Sequence, residues 1–315
     1  MREKFITVLG SMTMDLVAKT QRRPIKGETV LGEAFAMVPG GKGANQAVTA
    51  AKLGAKTYMV GRLGNDLFRN SILDNLAREG VVTEFIKTDN ETATGIAHIS
   101  VDALGDNSII IVPLANANVD ELDVNEVEDL ISRSALLMLQ LEVPLKTVLH
   151  ATKVAKKHNI PVILNPAPAQ SLPDELYAYI DYLTPNETET EILTGIKITS
   201  IESAKVAAKE LLNRGVRNVV ITLGENGCLL SDGMEFHHVS AQKVEVVDTT
   251  AAGDAFNGGM AVGLLKGMSI KEAVTYGGLV GTLAVTKFGA QSSLPSIDEV
   301  NNFLKHQVPH SLNKN

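Results

Sequence analysis

From about residue 120 the chain settles into a rhythm that few architectures accommodate. The apolar runs "ALLMLQLE", "PVILNPAP", "YIDYLTPN" and "NVVITLG" alternate with helical stretches over residues 145–157, 186–194 and 202–214. Each run is short, rich in Val, Ile and Leu, and without a polar stripe. Such strands predict a mostly parallel central sheet with helices on both faces, an α/β fold. Earlier, "FITVLGS", "KTYMVGRLG" and "VVTEFIKT" read as strands. "GANQAVTAAKLG" and "LFRNSILDNLAREG" read as helices closed by Gly54 and Gly80. Two segments, at about 15–38 and 94–112, break the rhythm with turn signals at Pro24, Gly27 and Gly32 and a hairpin near "LGDN". They are expected outside the sheet, as a small β layer. The 315 residues, 44% apolar, suit one α/β domain over 1–315 with additions.

Composition removes several classes of function. A net charge of -7 argues against non-specific binding to nucleic acid or anionic membranes, which needs basic surface. Aromatic residues make up 4% with no Trp, a poor supply of base-stacking platforms. Cys228 is the single cysteine, so no intramolecular disulfide forms and a reducing cytoplasm is expected. No apolar run approaches the roughly 20 residues of a membrane span. "MREKFITVLGS" enters a strand without a signal-peptide core, and the polar "HQVPHSLNKN" is expected to fray.

Open parallel sheets bind ligands beyond the carboxyl ends of their strands. Asp15, Glu142, Asn165, Asn186 and Gly224 stand at those ends. The most informative stretch is "DTTAAGDAFNGG", 248–259, where small residues separate two carboxylates. A helix running from Asp254 would present the bare N–H groups of its start to an anion. Asp254 would then be placed to take a proton from a hydroxyl attacking that anion. The plainer alternative is a first-turn acid favoured by the helix dipole, with glycines for packing. "PGGKGANQA", 39–47, resembles a P-loop only superficially, since Ala36 and Gly43 occupy its first-glycine and hydroxyl positions. It suits a backbone-lined pocket for a hydroxylated small molecule, or else a flexible turn. Asp15 and Glu142 can each accept two hydrogen bonds from vicinal hydroxyls, or be ordinary loop acids. In "TPNETE", Glu189 is either a magnesium organiser acting through water or part of a cap with Asn186. "TLGENGC" is either a nucleotide-lining turn or a plain hairpin. The seven histidines, with His237 and His238 adjacent in an apparent strand, show no metal-ligand spacing, and Cys228 sits in no motif.

Taken in order, "GSMTMD", "PGGKGANQAVTAAKLGA", "GRLGND", "LQLE", "NPAPA", "TPNETE", "TLGENG", "DTTAAGDAFNGG" and "FGAQSSLP" resemble the ribokinase-like family of sugar kinases over about residues 5–300. The resemblance implies an ATP-dependent phosphotransferase acting on the 5-hydroxyl of D-ribose, with Mg²⁺ and K⁺ as cofactors. It implies Asp254 as base, with the N–H groups of Ala251, Ala252 and Gly253 holding the γ-phosphoryl oxygens. The sugar would meet Thr13, Met14, Asp15, Gly41, Lys42, Gly43, Ala44, Asn45 and Glu142. ATP would lie along Asn186, Thr222, Leu223, Gly224, Glu225, Asn226, Gly227, Gly253 and Gly278, with Glu189 organising Mg²⁺. K⁺ would take Asp248, the carbonyls of Thr250, Ala284, Lys287 and Gly289, and Ser293. The small β layer would be a lid over the sugar, and lids of this kind pair in homodimers. Two departures stand out. Thr13 replaces the usual Asn at the sugar, which opens the identity of the pentose, and Gly278 replaces an Asn often found near adenine. A kinase for another pentose, deoxyribose or a nucleoside is the main alternative, then a non-catalytic sugar sensor. A dinucleotide-dependent dehydrogenase fits least, since "GSMTMD" carries no G-x-G-x-x-G fingerprint.

Overall fold

The computed structural model describes residues 4–307, so the polar tail from position 308 on lies outside the described residues. β1 (Ile6–Leu9) continues into β2 (Thr13–Thr20), and β3 (Gly32–Gly40) returns into the helix Lys42–Lys52. β4 (Thr57–Gly64), the helix Leu67–Arg78 and β5 (Val81–Asp89) follow, then the hairpin of β6 (Gly95–Val101) and β7 (Asn107–Val112). The regular half contributes β8 (Leu136–Leu139), β9 (Val162–Leu164), β10 (Tyr182–Leu183) and β11 (Asn218–Thr222). β12 (Cys228–Ser231) and β13 (Phe236–Val239) close the strand list.

Among the described residues nine strands form one sheet in the order β13-β12-β11-β10-β9-β8-β1-β4-β5. All its pairs are parallel except those made by β12. Successive side chains on a strand point to opposite faces, and here both faces are dry. Ile6, Val8, Met138, Ile163 and Val220 enter one core; Leu9, Leu137, Leu139, Val162, Leu164, Val219 and Ile221 enter the other. That is the double burial expected from the unbroken apolar runs. The two early segments form a separate sheet, β3-β2-β6-β7. Its first segment reaches two residues further at each end than expected, from Thr13 to Gly40, and its second, from Gly95 to Val112, lies within a residue of expectation.

Helices 145–157, 187–194 and 201–213 lie within a residue of expectation. The helix expected from Asp254 starts two residues earlier and spans Ala252–Leu265. It packs against Ile270–Ala284, a helix the sequence analysis did not identify, as it also missed Ile297–Gln307. A Cβ on Gly259 would lie 2.8 Å from Val280 Cβ, and one on Gly263 2.9 Å from Ala273 Cα. On another side, a Cβ on Gly258 would lie 2.5 Å from Thr49 Cβ. Those glycines are the price of bringing three helices together. Among the described residues, no helix is long and apolar enough to cross a membrane.

Candidate active site

β1 is flanked by β4 on one side and β8 on the other, so the strand order reverses there. Ligands of open parallel sheets bind outside the carboxyl ends at such a reversal. Ser11, Thr13 and Asp15 follow β1; Gln140 and Glu142 follow β8; Asn165 follows β9; Thr184 and Asn186 follow β10.

Glycines let the helix Lys42–Lys52 begin against the exit of β1. Gly41 has φ 93°, and a Cβ on it would lie 2.9 Å from Met12 Cα. A Cβ on Gly43 would lie 2.6 Å from Ser11 N. Lys42 N donates to Glu142 Oε2 at 3.0 Å, and Ser11 Oγ donates to the same oxygen at 2.5 Å. Thr13 Oγ1 donates to Asp15 Oδ1 at 2.8 Å. The "PGGKGANQA" segment is therefore the end of β3 and the start of the helix Lys42–Lys52, bonded to Ser11 and Glu142. The side chains of Met14 and Ala44 are buried in the core.

Asp254 is buried, with Asn45 Nδ2 donating to Oδ2 at 2.9 Å and Gln46 Nε2 to Oδ1 at 3.1 Å. Gln46 is oriented in turn, since its Nε2 reaches Asn165 Oδ1 at 3.2 Å and Gln140 Nε2 donates to its Oε1 at 2.7 Å. Burial raises the Asp254 carboxyl above the ordinary range, against the pull of Lys42, Asn45 and Gln46. Asp15 is pushed up to about 6 by burial, relieved by Thr13 and reinforced by Glu142 and Asp254. Burial also raises Glu189. Lys42 is held above its usual value: burial works the other way, but Asp254, Glu142, Glu189 and Asp15 together outweigh it. The buried Asn45 Oδ1 has no hydrogen-bond partner among the described residues, an acceptor left for something else.

The helix start beside Asp254 is built for close approach. Ala251 caps it in the left-handed region at φ 60°, a conformation costing roughly 1–2 kcal/mol for a residue with a Cβ. Ala252 N donates to Thr249 O at 3.2 Å, so this N–H is already engaged, contrary to its expected role in holding an anion. The N–H groups of Ala251 and Gly253 meet no backbone acceptor. A Cβ on Gly253 would meet nothing within 4 Å.

That open side faces a cavity of about 1750 Å³. Asn186, Thr222, Gly224, Glu225, Asn226, Gly227, Ala252, Gly253 and Gly278 line it, as the resemblance implies for a nucleotide. Leu223 does not; its side chain lies in the core. Glu189 lies behind Asn186 in a capping box, its Oε2 accepting from Asn186 N at 2.9 Å and its Oε1 from Nδ2 at 3.0 Å. In the "TLGENGC" turn, β11 and β12 form an antiparallel hairpin whose tip lines the cavity. Phe256, Tyr276, His238, Lys243 and Lys271 also line it and were not anticipated. His238 Nε2 lies 2.7 Å from Asn226 O, a contact that only the β12–β13 pairing creates.

Asp248 Oδ1 accepts from Thr250 N at 2.9 Å and Thr250 Oγ1 at 2.6 Å, while Oδ2 accepts from Gly289 N at 2.9 Å. These bonds keep its carboxyl below the ordinary range although burial opposes them. Ala284 ends the helix Ile270–Ala284, Lys287, Gly289 and Ser293 lie in the loop after it, and the buried Ser293 hydroxyl donates to Ala290 O at 2.8 Å. Both oxygens of the Asp248 carboxylate are thus engaged by N–H or O–H donors.

A crevice at a sheet reversal, with a buried acid at an open helix start and a long cavity beside it, defines a small-molecule phosphotransferase. The pfkB family carbohydrate kinase model matches residues 3–297, and the chain belongs to that family. It is 43% identical over 303 residues to a protein of Haemophilus influenzae named ribokinase, covering 96% of this chain and 99% of that one. It is 40% identical to a deoxyribokinase of Salmonella typhi, covering 95% and 98%. The structure of Arabidopsis thaliana ribokinase complexed with ribose and ATP superimposes with a TM-score of 0.91 at 34% identity, covering 96% and 99%.

Proposed function

We propose that this chain transfers the γ-phosphoryl group of ATP to the 5-hydroxyl of D-ribose, giving ribose 5-phosphate and ADP. The observation that carries the reading is Asp254, buried and clamped by Asn45 and Gln46, beside a helix start that opens onto the cavity. The relatives named for ribose support the acceptor. Asp15, Glu142, Lys42, the orphaned Asn45 Oδ1 and the backbones of Gly41 and Gly43 would hold the sugar. Asp254 would take the proton of the attacking hydroxyl. Phosphoryl transfer has a loose transition state, so positioning and charge stabilisation do most of the work. The free N–H groups of Ala251 and Gly253 would carry that task, with the turn at Gly224–Gly227 and Gly278 along the nucleotide. Mg²⁺, held through water by Glu189 with Asn186, would neutralise phosphate charge. K⁺ at Asp248, Thr250, Ala284, Lys287, Gly289 and Ser293 would stiffen the turn behind the helix start. Activity in potassium should then exceed that in sodium at matched ionic strength, and equal rates would remove that ion from the reading.

The chain would act as one kinase domain with the small sheet as its lid, excluding water that would otherwise consume ATP. Phe35, Met37, Ile109 and Ile110 leave apolar surface exposed on the lid, which supports pairing of two copies there. A reducing cytoplasm remains the proposed location, consistent with a single, buried Cys228. A second reading, phosphorylation of deoxyribose, is favoured by Thr13, whose hydroxyl proton is committed to Asp15, and by the deoxyribokinase relative. A panel of ribose, deoxyribose, fructose and adenosine with ATP, with the phosphorylated position determined, tests both. Preference for fructose or adenosine overturns them, and no turnover at all leaves a sugar sensor.

A further inference from the structure

Four passages of the chain join the lid to the body, and three of them meet at one point: Met12 going out, Gly95 going back out, and Asn116 coming home after β7. Asn116 is 1% exposed and sits in the short 3₁₀ turn Leu114–Asn118. Its Oδ1 accepts from Met12 N at 3.0 Å, and its Nδ2 donates to Met12 O at 2.9 Å. A side-chain amide thus supplies the two bonds a neighbouring strand would give, at a residue between strands with no sheet partner of its own. Room for it is made by Gly95, where a Cβ would collide with Asn116 Nδ2 and lie 2.7 Å from Pro113 O. Just before it, Leu114 takes the left-handed region at φ 48°, unfavourable for a residue with a Cβ, and so turns the chain back toward Met12.

Met12 stands between Ser11, whose hydroxyl engages Glu142, and Thr13, whose hydroxyl engages Asp15. Whatever fixes Met12 therefore fixes the run that carries Asp15 and whose Ser11 hydroxyl holds Glu142. We propose that Asn116 is a positioning residue for the sugar: by gripping Met12 it sets the Ser11–Asp15 run, and it ties that setting to the lid. Because the grip joins the outgoing strand to the returning one, lid closure and the placing of Asp15 are one movement. The proposal rests on the sugar-kinase reading and adds to it a residue that touches neither substrate.

The test compares wild type with Asn116→Leu and, separately, Gly95→Ala, which crowds the same amide from the other side. KM for ribose, KM for ATP and kcat are measured, with the melting-temperature shifts produced by each substrate. Leaving a buried polar pair unmade predicts a rise of about tenfold in KM for ribose. KM for ATP should change by less than about twofold. The shift produced by ribose should shrink while that of ATP persists. A fall in kcat with both KM values unchanged marks a merely structural asparagine and overturns the proposal, as does an equal rise in both. Should Asn116→Leu not fold, Gly95→Ala and Asn116→Ser carry the same comparison. Absence of wild-type turnover with ribose sinks the ribose reading and this proposal together, whereas active wild type with unaltered variants sinks this proposal alone.

Discussion

Asp254 and Asp15 share their surroundings with Glu142 and Glu189, and Lys42 is the cation set against all four. Asp254 is held by two amide donors and raised by burial, a combination suited to a group that must receive a proton on cue. Asp254→Asn should lower kcat by roughly 10²–10⁴-fold with ribose, and near-normal turnover would remove it from the chemistry. Asp15 titrates at about 6. Only its ionised form offers both oxygens purely as acceptors, so affinity for the sugar should be full above that pH and fade as pH falls through it. KM for ribose against pH shows this, and Asp15→Asn should flatten the profile. Stability runs the other way: the folded state binds this proton more tightly than the unfolded chain does. Its contribution therefore grows as pH falls from about 6 toward the ordinary 3.8. At this scale the sequence was legible where a carboxylate ends a strand. Gln46 and Ser11 were not, because a buried amide or hydroxyl declares its partner only once distant strands meet.

The helix Ala252–Leu265 serves two ends with one composition. Its middle glycines admit neighbouring helices, whereas Gly253 admits nothing of the protein at all. A side chain there would therefore fit the fold and obstruct only what comes from the cavity. Gly253→Val should melt close to wild type, yet lose about 10²-fold or more in kcat, the scale of one missing anion-hole donor. A large drop in melting temperature with kcat preserved would mean that the glycine serves packing alone. Elements were legible in proportion to the regularity of their apolar pattern. Helix Leu145–Lys157 alternates buried and charged positions and was located to the residue. Ile270–Ala284 was not found, because "AVTYGGLVGTLAV" is apolar nearly all round and buries several sides, leaving no helical stripe to read. β10 shrank to two residues because pairing across the sheet, not propensity, sets where a short strand stops.

At the scale of the molecule the lid leaves several large apolar side chains in water. Phe35 and Ile110 are each 64% exposed on its edge strands. If two copies pair there, Phe35→Asp and Ile110→Lys should convert a dimer to a monomer by sedimentation or light scattering, while wild type stays dimeric. A wild-type monomer would dismiss the pairing. The double-sided sheet and the detached β layer were legible in the sequence, since both follow from local pattern. The grip of Asn116 on Met12 was not, because it joins residues 104 apart in the chain. Four acids are gathered around Lys42. A neutral alcohol can settle among them, but it departs carrying a phosphate with nearly two negative charges. A basin that welcomed the reactant would then repel what it becomes, an electrostatic push toward release.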